Sequence, residues 1–476
     1  MSYTKHRIII PDVNGDNVIA SDDISIPYGD LPGILKELDI FFSDHHLKEA
    51  GCIGVLTENT VGCAVVILYL LSEGINFFLL PADSPVNRII PPFCDWILSP
   101  GLIYSGHQAG RTGISSQENP GHTGGKRGIA AGSGAVCFSS SGTTGAAKYI
   151  HFRRDRLVQN ARNCAIRFDI TGSSKVLVPV PVSHMYGMGV GLLPAMLCGA
   201  CLFLIEKNNI VKLMEGTKRF QPTITLITPT VAKMMLLLNK RPGGQGAFIT
   251  AGEKIGRKTY LDFELMYGPL LNLYGCTELG AIGVSPGEEG AAAVRPDGVV
   301  RPLKGVEIRI DGDSGQIECR HNGGFESYVD GNGMPHGAPA YQDGWYATQD
   351  MGRMEGGAEF KVLGRMDNCV NRSGFLVSLD EVGAVLEDLF QEINRAVVFE
   401  NDEDGGVRTG LTAVCELNPG AMLDGDAMKK VVRDKMNRHQ APDKFYFIQD
   451  MPRLKSGKPD RILLMRHYKE LVKNKP

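Results

Sequence analysis

The chain reads as an α/β protein: a large N-terminal domain with mixed or parallel sheets flanked by helices, and a small α+β C-terminal lid domain. Three observations lead there. Short apolar runs alternate with helical periodicity through the first half, which argues for a parallel sheet covered by helices. A composition of 43% hydrophobic and 22% charged residues supplies a large core, in a 476-residue chain long enough for two or three domains. Beyond about Gly364 charge density rises and the elements shorten.

Taken in order, "CIGVLT" (Cys52–Thr57) is a short apolar run typical of a buried strand, and "AVVILYLLSEG" (Ala64–Gly74) is a helix ended by glycine. "NFFLLPAD" (Asn76–Asp83) returns to strand. From Ser105 to Gly134 the text is rich in Gly, Ser, His and Gln without apolar periodicity, and predicts a long surface loop or a disordered stretch. Ala135–Phe138 can end a strand; Leu157, Ala161, Cys164, Ala165 and Phe168 then recur at helical spacing. "VLVPV" (Val176–Val180), "ITLITPT" (Ile224–Thr230) and "AFITAGE" (Ala247–Glu253) are strands closing in turn residues, where doubly wound folds carry ligands. "SLDEVGAVLEDLF" (Ser378–Phe390) is an amphipathic helix with acidic residues in its first turns, which suits the helix dipole. "RAVVFE" and "LTAVCEL" are strands of the small domain.

A net charge of −3 gives no general electrostatic reason to bind nucleic acid or an acidic membrane. The start "MSYTKHRIII" lacks a signal peptide, so the eleven cysteines are expected as reduced thiols in a cytoplasmic protein. Cys198 and Cys201 form a C-x-x-C with apolar neighbours on both sides and no second pair at zinc spacing, so both are expected as buried small hydrophobes. Val176–Ile205 contains no charged residue, yet three prolines and four glycines interrupt it. That density of breaks predicts a strand, a loop and a buried helix rather than a membrane span.

"SSSGTTGAAKY" (Ser139–Tyr149) fits two descriptions. It has the composition of a flexible linker. It also has what a phosphate loop needs: glycines that open the backbone, hydroxyls that donate, and a terminal cation. The G-x-x-x-x-G-K-[ST] spacing is absent, so a Walker loop is excluded. Five further stretches accompany it: "LNLYGCTELG" (Leu271–Gly280), "DGWYATQDMG" (Asp343–Gly352), "VLGRMDN" (Val362–Asn368), "NRSGFLVSLDEV" (Asn371–Val382) and "MPRLKSGKPDR" (Met451–Arg461). Singly each has a plain structural explanation: a strand end, a hairpin turn before an aromatic strand, a basic tail.

Together and in this order, they resemble the AMP-forming adenylate enzymes: acyl- and aryl-CoA synthetases, adenylation domains of nonribosomal peptide synthesis, and luciferases. The resemblance runs from about Cys52 to the C-terminus. It implies an adenylation core over residues 1–364, a hinge at Asp367, and a mobile C-terminal domain over 365–476. It implies a two-step reaction in which a carboxylate attacks the α-phosphate of Mg-ATP, giving an acyl-adenylate and pyrophosphate, and a thiol then displaces AMP. Ser140, Ser141, Gly142, Thr143, Thr144, Gly145 and Lys148 match the phosphate loop, with Ala147 where the family usually has proline. Thr277 and Glu278 match the pair that meets the α-phosphate and Mg²⁺, whose preference for oxygen ligands a carboxylate satisfies. Tyr274, followed by Gly275, matches the aromatic stacked on adenine, and Gly252 the opposite adenine wall. Asp350 matches the acceptor of both ribose hydroxyls and Arg365 a second ribose contact, although the family's "TGD" reads "TQD" with Gln349. Lys458 matches the lysine bridging substrate carboxylate and α-phosphate, and His184 the residue closing the acyl pocket.

Between Lys175 and Glu206 there is no acidic residue to hold an α-amino group. With Met185, Tyr186, Met188 and Gly280 nearby, the expected substrate is an apolar or aromatic carboxylic acid. CoA is the preferred acceptor, and a carrier protein's phosphopantetheine the alternative, because both present the same thiol arm. A catalytically silent AMP-binding regulator is the alternative of another class. The oligomeric state is unspecified.

Overall fold

The computed structural model describes residues 16–22, 24–82, 90–100, 103–105, 108–111, 114–121, 129, 132–139, 149–206, 209–240, 243, 246–286, 298–337, 340–372, 375–403, 408–453 and 459–473. Two sheets organise the larger part. In a seven-stranded sheet, Ile53–Thr57 pairs in parallel with Phe77–Pro81 and Trp96–Ser99, and Phe77–Pro81 pairs in parallel with Ala135–Ser139. The helix Val61–Glu73 crosses between the first two of these strands. The Thr60 hydroxyl accepts from the Cys63 amide at its start, and Gly74, with φ 70°, closes its end. Val61–Leu71 are all buried, so this helix is apolar on every side and sits inside the core.

The second sheet has 14 strands. Its parallel part joins Lys175–Val178, Cys201–Leu204, Ile224–Ile227, Ala247–Thr250 and Leu270–Cys276. It turns antiparallel at Leu270–Cys276, which pairs with Gly280–Val284, and continues through Val299–Pro302 and Glu359–Arg365 to Trp345–Gly356. A parallel strand sends all its ends to one edge, and an antiparallel hairpin returns the chain to the same edge. The change at Leu270–Cys276 therefore concentrates chain reversals where ligands bind in doubly wound sheets.

Two expectations are corrected, those for Ser105–Gly134 and for the two cysteines, and the strand, loop and buried helix expected within Val176–Ile205 are present. The Ser105–Gly134 stretch is not one long loop, because it holds the strands Gln108–Arg111 and Ser115–Glu118, the latter on the edge of the seven-stranded sheet. An edge strand with solvent on most sides needs no apolar alternation, which is why its text looked like loop. The buried helix within Val176–Ile205 is π-helical over Tyr186–Leu192 before a short α-helix, Leu193–Leu197. Cys198 and Cys201 are only half-buried, and the Cys201 thiol lies 3.4 Å from Asn17 Oδ1.

From Cys369 onward the elements have a core of their own, including Val377, Leu379, Val382, Leu386, Leu411 and Val432. Ile393–Glu403 pairs antiparallel with Arg408–Leu417, which pairs in parallel with Lys444–Ile448. The helices Leu379–Leu389 and Gly425–Lys435 complete this α+β unit. It rests on the larger part through charge. Lys233 Nζ donates to Glu387 at 2.7 Å and to the Asn394 carbonyl at 2.9 Å, and Arg395 lies 3.6 Å from Glu253. Asp388 accepts from the amides of Arg257 and Lys258, each at 3.2 Å, at the start of the helix Arg257–Tyr267. A carboxylate there satisfies orphan donors and complements the helix dipole. Among the described residues, no helix is long and apolar enough to cross a membrane.

Candidate nucleotide and acid site

The strand Leu270–Cys276 carries Tyr274, and a register shift between Tyr274 and Gly275 re-aims the chain as it leaves the strand. Cys276 pairs with Gly280, so Thr277, Glu278 and Leu279 form the tip of a hairpin. Gly275 is required there, since a Cβ would stand 2.2 Å from the Gly280 carbonyl oxygen. The tip is held from outside as well. Asn160, fully buried on the helix Arg154–Arg167, donates to the Leu279 carbonyl at 3.0 Å, and the Phe325 amide donates to the Glu278 carbonyl at 2.8 Å.

Asp350 faces this hairpin from the strand Trp345–Gly356, which starts from a turn with Asp343 and Gly344 both at positive φ, 50° and 80°. That is the two-residue turn favoured in hairpins. Tyr274 Oη donates to Asp350 Oδ2 at 2.7 Å. Arg365, paired with Asp350 across the strands, lies 3.7 Å from Asp350 Oδ1, and its Nε lies 3.6 Å from Asp367. Burial pushes the Asp350 carboxyl above its ordinary value, while Tyr274 and Arg365 act in the opposite direction. Burial, then Asp350, drives the Tyr274 phenol well up, so it stays protonated and donates.

Gln349 takes the left-handed backbone that the family's glycine would take, with φ 63°, and its side chain is exposed. The turn survives the replacement at a backbone cost, and Asp350 still points inward. Gln349→Gly is therefore expected to stabilise the protein by about 0.5–1 kcal/mol without changing nucleotide affinity, as read by urea unfolding with and without AMP. A loss of stability would mean that the exposed Gln349 side chain contributes more than its backbone strain costs.

Gly252, with φ 94° and open space where a Cβ would sit, follows the strand Ala247–Thr250, the direct neighbour of the Tyr274 strand. The structure thus brings together Tyr274, Gly275, Thr277, Glu278, Asp350, Arg365 and Asp367, with Gly252 on the next strand. His184 is exposed in the loop beyond the strand Lys175–Val178. Tyr186, two residues on, donates to the carbonyls of Ile227 and Ile249 at 3.0 and 2.7 Å and so fixes this loop over the parallel strand ends. Ser140, Ser141, Gly142, Thr143, Thr144, Gly145, Lys148 and Lys458 lie outside the described residues. The strands flanking 140–148 pair antiparallel, Ser139 opposite Tyr149. The stretch therefore joins two adjacent strands and is not an interdomain linker.

Sequence reasoning missed Tyr328 and Tyr346. Tyr328 Oη donates to Glu278 Oε1 at 2.8 Å and lies 2.9 Å from Tyr346 Oη. Tyr328 lies outside the motif stretches, and Tyr346 lies within "DGWYATQDMG", where Asp350 alone carries an expected role. The donor set fits Mg²⁺ that arrives with a nucleotide. Among the described residues no cluster of three or more His, Cys, Asp or Glu could cage an ion. Mg²⁺ commonly takes one or two carboxylates and completes its shell with phosphate and water, and Glu278 beside Thr277 offers that.

The fold and this group of residues are similar to those of the AMP-forming adenylate enzymes. The family model described as AMP-binding enzyme matches residues 109–337. Among curated relatives, the indoleacetate–CoA ligase of Aromatoleum aromaticum is 26% identical over 343 residues, 68% of this chain and 65% of that protein. The medium-chain fatty-acid–CoA ligase of Escherichia coli is 24% identical over 357 residues, 70% of this chain and 60% of that protein. The chain thus spans less than two thirds of the length of these two relatives. ATP-bound MatB from Rhodopseudomonas palustris shares the fold, with a TM-score of 0.78 at 20% identity over 96% of this chain and 97% of that chain.

Proposed function

We propose that the protein is an ATP-dependent ligase that converts an apolar or aromatic carboxylic acid to an acyl-adenylate and then to a CoA thioester. The observation that carries this reading is the Tyr274–Asp350 hydrogen bond beside Glu278, which gathers two motifs distant in sequence at one place where the sheet changes direction. In this reading Tyr274 and Gly252 flank adenine, and Asp350 with Arg365 takes the ribose. Glu278 holds Mg²⁺, which neutralises phosphate charge facing the anionic acid. Ser140–Lys148 receives the β- and γ-phosphates, and backbone and hydroxyl donors stabilise the charge of departing pyrophosphate. Lys458 comes from the C-terminal domain to the carboxylate and α-phosphate, with that domain turning about Asp367 after residue 364. His184 closes the acid pocket. The names of the relatives, ligases of indoleacetate and of a medium-chain fatty acid but also of sulfoacetate and oxalate, support CoA as acceptor. The choice of an apolar or aromatic acid rests on the lack of an acidic residue between Lys175 and Glu206 and on Met185, Tyr186 and Met188.

The test is a panel of carboxylic acids assayed for nucleotide product, with CoA and with holo-carrier proteins. The expected outcome is AMP and pyrophosphate with one subset of apolar or aromatic acids, and thioester with CoA. ADP as product, or AMP release with amino acids alone, would overturn the reading. Tight AMP binding without turnover of any acid would favour the silent regulator.

A further inference from the structure

Glu278 is tied down from a direction that its motif does not announce. The Tyr328 hydroxyl donates to Oε1 at 2.8 Å, and the Tyr346 hydroxyl, 2.9 Å away, donates in turn to Tyr328. Among the described residues this is the hydrogen bond that the Glu278 carboxylate makes, so Oε2 remains for a ligand. The three residues come from three places. Glu278 is on the hairpin after Leu270–Cys276. Tyr346 is on Trp345–Gly356, the strand that also carries Asp350. Tyr328 is on Ser327–Val329, which belongs to the other sheet and pairs with Tyr149–Arg153, Tyr328 opposite Ile150. Tyr149–Arg153 is the strand entered directly from residues 140–148. One hydroxyl thus links the carboxylate, the ribose strand and the strand that closes the phosphate hairpin. The phenol ring is seated for this role against Phe325, edge to face at 4.9 Å between ring centroids, and the Phe325 amide holds the Glu278 carbonyl.

The geometry points to Tyr328, supported by Tyr346, as a positioning residue that orients Glu278 so that one carboxylate oxygen is presented to the divalent cation of the bound nucleotide. This inference rests on the reading of Glu278 as the metal carboxylate. A carboxylate on a hairpin tip can rotate about its side-chain torsions. Pinning one oxygen removes that freedom before the cation arrives, and partners of this kind commonly tune metal affinity 10- to 100-fold. The hydroxyl-to-hydroxyl chain lies in a partly buried setting where each hydrogen bond polarises the next.

The experiment uses the full chain with an ATP analogue that cannot release pyrophosphate. Mn²⁺ is titrated and its free concentration is followed by electron paramagnetic resonance. AMP affinity is measured separately by calorimetry without metal. Tyr328→Phe keeps the ring against Phe325 and is expected to weaken Mn²⁺ binding by about 10-fold while leaving AMP affinity unchanged. Tyr346→Phe shifts Mn²⁺ binding in the same direction by less, and Glu278→Gln shifts it most. If Glu278→Gln weakens Mn²⁺ binding and Tyr328→Phe does not, the positioning role is wrong and the metal reading stands. If Tyr328→Phe weakens AMP as much as Mn²⁺, the hydroxyl serves the general architecture only, and the inference also fails. If Glu278→Gln leaves Mn²⁺ binding unchanged, the metal reading falls and takes this inference with it.

Discussion

Asp350→Asn is expected to bind AMP and ATP roughly 100-fold more weakly than the wild type, because in the proposed reading one charged acceptor takes two ribose hydroxyls and hydrogen bonds to charged groups contribute about 1.5–3 kcal/mol each. The same variant is expected to unfold at an equal or higher temperature at neutral pH. Burial holds the Asp350 carboxyl above its ordinary 3.8, so the folded protein keeps that proton to a higher pH than the unfolded chain does. As the pH rises from 3.8 through the folded value, the unfolded chain releases its proton first and folding stability declines. Above that window the full penalty of the buried charge is in place, and asparagine does not incur it. Melting temperatures across the acid range should therefore diverge in favour of the variant as pH rises. Weaker binding together with lower stability at neutral pH would contradict this account, since it would make Asp350 a structural residue.

Lys458→Ala is expected to cut adenylate formation by about 10²–10³-fold, the usual cost of losing one pre-placed cation or donor from a charge-developing site. In the proposed role Lys458 acts on the substrate carboxylate and α-phosphate, so thioester formation from a supplied acyl-adenylate is expected to persist. The described residues on either side of 454–458 are held by hydrogen bonds. Glu416, buried on the strand Arg408–Leu417, accepts from the Met451 amide at 2.8 Å and from Arg453 at 2.6 Å. The Asp460 amide donates to the Pro452 carbonyl at 2.8 Å, and Arg453 bridges to Pro459. Equal loss in both half-reactions would show that the substitution disturbs the lid as a whole.

Much of this was legible in the text, and the limits have physical causes. Apolar runs such as Cys52–Thr57 and Ile224–Thr230 marked parallel strands because both faces of those strands are buried. Tyr274, Glu278 and Asp350 were legible because their motifs hold chemistry and backbone in one short span. Tyr328 was not, since its hydroxyl meets a carboxylate 50 residues away across a sheet boundary that no local pattern encodes. Gln349 misled in another way. The expected glycine marks a positive φ, yet the chain holds φ 63° with glutamine, because the pairing of Asp350 with Arg365 fixes the turn from outside.

The foothold of the C-terminal domain has its own consequence. Lys233 with Glu387, Arg395 with Glu253, and Asp388 on the amides of Arg257 and Lys258 are contacts between charges and dipoles. Such contacts loosen as ions screen them, and they can be released without exposing oily surface. Two of them, Glu253 and the amide pair at 257–258, sit just after Gly252, on the segment read as the adenine wall. In the proposed reading the nucleotide site and the contacts that hold the C-terminal domain are therefore neighbours, and rising ionic strength is expected to loosen that domain's hold.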